Sequence, residues 1–248
     1  MKLTDKIWYS FTSSKKYEGL APPFFEVENE TWYATLMAGK EEIKQEFLSK
    51  HQQEFRPYYN NTFANKENQW QIIPLKFWGL NKRKMGKSYP IANAIINKIP
   101  FVSSATFSKL NPQTSIDPHV GDSNIMYRIH VPLIIPAKLP ACGFKISDKS
   151  ISWDENKIFA FCDAHQHEAW NNTNEDRVIF ILDIIRPEFQ ESYKWNRSQL
   201  LATLWLQFAF QKTNILAHIP FFIKKMLMNF LACFAFVYVP IHNFFINE

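Results

Sequence analysis

Glycine is scarce: six residues in a chain of 248. A glycine that sits in a motif therefore carries more weight than usual. Cysteine occurs three times, at Cys142, Cys162 and Cys233, with no CxxC pair and no even-numbered set. That excludes a disulfide framework and points to buried thiols in a reducing compartment. The net charge is +5, yet lysine and arginine are scattered and no basic run forms. A nucleic-acid stripe is thereby excluded. A small anionic co-substrate, an acidic peptide or an anionic membrane stays compatible. Charged residues make up only 21% against 46% hydrophobic, which excludes a disordered chain. The first 19 residues hold no apolar run of signal-peptide length, so a cytoplasmic catalytic part is expected. Internal repeats and low-complexity segments are also missing.

Aromatics are what the chain has in quantity, with 23 Phe and 8 Trp. Residues 1–35 read as irregular. Residues 30–55 place Leu36, Ile43 and Phe47 at helical spacing. A polar turn is expected at 59–61, a strand over 69–79, and a short helix over 89–99 with Pro90 in its first turn. Short segments rich in β-branched and aromatic residues follow at 101–108, 127–135, 142–147, 157–163 and 177–185. Several strands at this spacing predict a barrel or jelly roll. The gaps are too short for the crossover helices of a βαβ sheet. Helical character returns over 188–248. After Lys224 and Lys225, the 22 residues from Met226 to Asn247 carry no charge. The expected organisation is an N-terminal helical and irregular part (1–100), a β core (101–190) and an apolar helical extension (191–248).

Polar residues inside the β region carry the chemistry. His119 lies just before Gly121, in an expected loop. Arg128 and His130 share one face of a strand, as do His165 and His167, because residues i and i+2 point the same way. Arg177 opens the last strong strand. Such groups inside a barrel must be satisfied or must bind something. Neutral imidazoles suit a metal such as iron(II), and an arginine fork matches a carboxylate.

Two stretches, PHVGDSNIMYRIHVPLIIP (118–136) and FCDAHQHEAWNNTNEDRVIFILDIIRP (161–187), with Trp153 between them, resemble the aspartyl/asparaginyl β-hydroxylase family. The shared pattern is His-x-Gly, then Arg-x-His, then a Trp near a turn, then His-Glu, with an Arg ten residues on and a closing Asp-x-x-x-Pro. Weaker likeness extends upstream through RPYYN (56–60) and Trp70 to the FWG at 77–79.

The resemblance implies a double-stranded β-helix with flanking helices at both ends. It also implies an iron(II)- and 2-oxoglutarate-dependent dioxygenase that uses O2 to hydroxylate an aspartyl or asparaginyl residue. His119 and His167 resemble the iron ligands, and Arg177, helped by Ser108, resembles the site for the distal carboxylate of 2-oxoglutarate. Arg128 and His130 resemble contacts to the co-substrate's other end. Gly121 stands where many oxygenases carry a carboxylate ligand, so a water would fill that position. Two alternatives stay open: Asp122 as a ligand through a shifted loop, and His165 in place of His167. Trp153 and Trp170 are expected to pack, and Asp163 and Asp183 to pair with a loop or an arginine.

Lipid A hydroxylases, similar to this family, make an acyl chain the alternative substrate. A non-catalytic jelly-roll binding module is the alternative of another class. Residues 215–247 are expected either to attach to a membrane, as a span or an interfacial helix, or to pack on the barrel as ordinary core.

Overall fold

The computed structural model describes residues 5–50, 54–59, 63–210, 213 and 215–247. The chain runs β1 (Phe24–Phe25), α1 (Thr31–Leu48), β2 (Arg56–Pro57), β3 (Trp70–Phe77), β4 (Leu80–Asn81), α2 (Arg83–Ser88), α3 (Pro90–Lys98) and β5 (Val102–Leu110). It continues through β6 (Thr114–His119), β7 (Met126–Ile134), β8 (Cys142–Ile146), β9 (Lys149–Ile151), β10 (Phe159–Phe161), β11 (His167–Asn171) and β12 (Arg177–Ile185). Helices α4 (Tyr193–Phe210), α5 (Ile215–His218) and α6 (Phe221–Asn247) follow. Helix α1 ends at Leu48, short of the expected 55, and residues 60 and 61 of the expected turn lie outside the described residues.

Two antiparallel sheets form. One has eight strands in the order β1-β10-β7-β12-β5-β3-β2, with β4 paired to β3; the other runs β6-β11-β8-β9. Their inner faces meet in one apolar cluster. Leu110 and Ile179 of the large sheet pack there with Ile116, Phe144 and Ala169 of the small one. The outer face of the large sheet lies under α1 and α3, where Phe107, Val131 and Phe180 bury against Leu36, Ile43 and Ile95. Strands with one face on helices and the other on a second sheet are hydrophobic in almost every position, which is why they read clearly in the sequence.

Local chemistry fixes the connections. Pro90 occupies the first turn of α3 as expected, since its missing N–H has no helical partner there anyway. The buried Glu46 of α1 accepts hydrogen bonds from the N–H groups of Ile91 and Ala92, so a carboxylate sits on the positive end of α3. Trp78 and Gly79 turn β3 into β4 with φ of 44° and 86°. Two consecutive left-handed residues are the requirement of a two-residue hairpin turn, and glycine meets it at no steric cost. Strands 24–25, 56–57, 70–77 and 80–81 all join the large sheet with β5, β7, β10 and β12, so the N-terminal part supplies strands to the core as well as helices against it.

Candidate active site

The register of the small sheet sets the two histidines against each other. His119 ends β6 and His167 opens β11, and the pair are cross-strand partners. Their rings stand 4.2 Å apart, centroid to centroid. His119 therefore belongs to a strand and not to the expected loop. His119 Nδ1 lies 2.8 Å from the Asp117 carbonyl, and His167 Nδ1 lies 2.9 Å from the His165 carbonyl. A carbonyl only accepts, so each Nδ1 carries the proton. Burial pulls both imidazoles below the usual histidine range, and His167 is lowered further by its neighbour His119. Neutral rings protonated at Nδ1 leave Nε2 free, which is the ligating tautomer.

His165 does not share this face. It sits in the turn before β11, bonds the Ala21 carbonyl through Nε2 at 2.8 Å, and meets Tyr17 edge-on.

Strands β5, β7 and β12 bring Ser108, Arg128, His130 and Arg177 to a cavity that the two histidines also line. Arg177 is buried, with 1% exposure. Its guanidinium lies 4.8 Å from the Trp153 ring centroid, and its Nε and Nη1 have no hydrogen-bond partner. Burial lowers its pKa to about 10, so it remains a cation at neutral pH. An unpaired buried guanidinium is costly unless an anion joins it. Trp153 also donates its indole N–H to His130 Nδ1 at 3.3 Å, so it packs as expected and links two site residues. Burial, and then the charge of Arg177, keeps His130 neutral. The Ser108 hydroxyl accepts the Trp70 indole N–H at 3.0 Å, which leaves its own proton to donate.

Arg128 commits three of its five N–H donors to two carboxylates. It grips Asp183 through Nε and Nη2 at 2.8 and 3.0 Å, and Asp163 through Nη1 at 2.8 Å. The pairing expected for those two aspartates is present. Asp163 does more than pair: its Oδ1 lies 3.4 Å from His167 Nε2, and its Oδ2 has no partner. A Cβ added at Gly121 would stand 1.7 Å from that free oxygen. The carboxylate thus fills the space a side chain at 121 would need.

Among the described residues, no three His, Cys, Asp or Glu side chains cluster to hold a metal, so Asp122 does not complete a triad with the histidines. Asp122 instead lines a neighbouring cavity, with Tyr58, Tyr59, Phe77 and Trp78. Burial, and then Asp163, raises its pKa to about 7. Trp70, Ser108, Arg128 and Ile181 border both cavities. Trp70, stacked on Tyr58 at 3.7 Å, is a site residue that the spacing argument did not single out. The faint upstream likeness at RPYYN and Trp70 was its only signal.

The facing sheets with the polar cluster between them form a double-stranded β-helix, a jelly roll with flanking helices. Residues 38–187 match the aspartyl/asparaginyl beta-hydroxylase family, and the chain belongs to it. It is 31% identical over 121 residues to an ornithine lipid ester-linked acyl 2-hydroxylase of Rhizobium tropici, covering 49% of this chain and 43% of that protein. It is 28% identical over 128 residues to the aspartyl/asparaginyl beta-hydroxylase of Homo sapiens, covering 50% and 17%. The chain thus spans less than half the length of these relatives. Among solved structures, a 2OG-Fe(II) oxygenase family oxidoreductase from Burkholderia pseudomallei aligns with TM-score 0.41 and 11% identity, covering 54% of this chain and 74% of that one. A prolyl-4-hydroxylase from Pseudomonas putida aligns with TM-score 0.40 and 13% identity, covering 62% and 87%.

Proposed function

We propose that this chain is an iron(II)- and 2-oxoglutarate-dependent dioxygenase that hydroxylates an unactivated carbon, in first place that of an aspartyl or asparaginyl residue. The observation that carries this reading is Arg177, a buried cation with two unpaired N–H groups beside a pair of neutral histidines. The donor set fits the missing groups. His119 and His167 would hold iron(II) through Nε2, and Arg177 with the free Ser108 proton would take the distal carboxylate of 2-oxoglutarate. When bound, iron(II) with 2-oxoglutarate and O2 supplies the oxidising power, and the co-substrate leaves as succinate and carbon dioxide.

The protein's own part is placement. The Asp117 and His165 carbonyls hold the two rings in one tautomer. Arg128 locks the Asp163 carboxylate beside His167. Trp153 braces His130 and Arg177 together. The chemistry at that point belongs to the bound groups, and the residues orient them.

A second substrate reading, a lipid acyl chain, is favoured by the aromatic walls of the neighbouring cavity and by the lipid hydroxylase among the relatives. The test is anaerobic titration of the chain with iron(II) and 2-oxoglutarate, watching for the charge-transfer absorption of the chelate. The band is expected in the native chain and absent in His167→Ala. No band in the native chain would leave a jelly-roll binding module. Succinate formation with peptides or lipids then separates the two substrate readings.

A further inference from the structure

Helix α6 is apolar on both of its faces, which a helix surrounded by water is not. One stripe, Met228, Ala232, Ala235 and Val239, is buried at 1% exposure or less against α4 and its surroundings. The opposite stripe, Phe222, Met226, Phe230, Val237, Ile241 and Phe244, is exposed. These positions recur at intervals of three, four and seven, so they form one face along the whole helix. Among the described residues, eleven of the nineteen exposed large hydrophobic side chains lie between Phe221 and Phe245. The patch is therefore concentrated, unlike the single exposed apolar groups that any surface carries.

The polar groups point the other way. Asn229 accepts from Gln199 of α4 at 2.9 Å, and Asn243 donates to the Gly79 carbonyl at 2.8 Å while accepting from the Asn81 N–H at 3.0 Å. Helix α4 beneath buries Asn196, Ser198, Gln199 and Thr203. Polar side chains face inward and aromatic ones outward, the arrangement that suits lipid as the surrounding medium. Lys224, one turn before the buried Met228 and over the Phe11 and Phe221 rings, and Lys225 flank the exposed face on its domain side, the level at which an anionic headgroup layer would meet them. Phe208 of α4 extends the exposed apolar surface and contacts Tyr59, a wall of the neighbouring cavity.

We propose that the outer face of α6 docks on an anionic bilayer surface, with the helix lying in the interface and not crossing it. Length and composition alone would allow a crossing. The hydrogen bonds from Asn229 and Asn243 argue otherwise, because they tie the helix to the domain near both of its ends, and a spanning helix would have to break them. This surface is independent of the hydroxylase reading.

The test uses the full chain and vesicles of phosphatidylcholine with or without phosphatidylglycerol. Cys233, exposed on α6 while Cys142 and Cys162 are buried, accepts an environment-sensitive dye. Flotation with the anionic vesicles, a blue shift of the dye, release by alkaline carbonate and a label depth of about 5–10 Å are expected. Replacing Phe230 and Phe244 by Ser, both on the exposed face, should lower the vesicle-bound fraction about tenfold for each ring removed. A dye at the bilayer centre with resistance to carbonate would make α6 a span and overturn the proposal. So would a chain that stays off vesicles and pairs with a second copy through this face. Unchanged flotation of the Ser variant would also overturn it, and the dye reading on the unsubstituted chain decides the matter if that variant does not fold.

Discussion

On β7, Ile129, Val131 and Leu133 face the helices, while Arg128 and His130 face the second sheet. Strand β12 repeats the division, with Phe180 and Leu182 on one side and Arg177 and Asp183 on the other. The two faces are a residue apart in sequence and opposite in chemistry, because successive side chains in a strand point to opposite sides. The outer face supplies burial energy, and the inner face supplies groups that are costly to bury. The difference teaches that stability and chemistry share strands here without sharing side chains, and substitutions can test how complete that separation is.

The largest effect is expected at His167. His167→Ala should abolish succinate formation while the unfolding midpoint stays close to that of the native chain, read by urea denaturation. Collapse of the fold instead would show that the inner face also carries the stability. On the outer face, Phe180→Ala should cost about 3–5 kcal/mol, the usual price of emptying an aromatic from a packed core. An effect under half of that would mean the outer face is loosely packed.

Arg177 should respond in two opposite ways. Arg177→Lys replaces a fork by a point charge and should raise the apparent KM for 2-oxoglutarate roughly tenfold with little change in iron binding. Arg177→Met should stabilise the ligand-free chain by about 1 kcal/mol or more in the same denaturation assay, since an unpaired buried charge is removed. A destabilised Met variant would mean that the guanidinium is a structural cation.

The smallest effect concerns Asp122. Its folded pKa of about 7 exceeds the 3.8 of an ordinary aspartate, so the folded state holds the proton more tightly between those values. That contribution is complete at low pH and is lost as pH rises through about 7. Asp122→Asn has no such loss, so its stability relative to the native chain should climb from pH 3.8 to about 7. A flat difference across that window would show that Asp122 is well solvated.

How much was legible follows the same division. Strands β5, β7 and β12 read directly from their near-continuous apolar, β-branched and aromatic content, and the flanking helices from apolar spacing. The strands that carry the histidines did not. Thr114–His119 holds Asp117 and Pro118 around a single core residue, Ile116, and His167–Asn171 is mostly polar. A strand devoted to ligands lacks the hydrophobic alternation that announces a strand, so the first was taken for loop. The contact of Asp163 with Gly121 spans 42 positions and leaves no local trace. In α6 the sequence gives length and lack of charge, but a helix that is apolar on every side does not say which face is bound. Asn229 and Asn243 decide that only once their partners on α4 and the β3–β4 turn are known.

The clash between position 121 and Asp163 constrains how this site can change over time. With Asp163 Oδ2 only 1.7 Å from where a Cβ would stand, no larger residue enters at 121 while Asp163 keeps its place. Placing a carboxylate on the His-x-Gly segment therefore requires two coordinated replacements. The first alone would strand Arg128 without one of its two anions or would force the loop open. Each single step passes through a damaged intermediate, so the glycine and the distant aspartate are sterically coupled positions that can change only together.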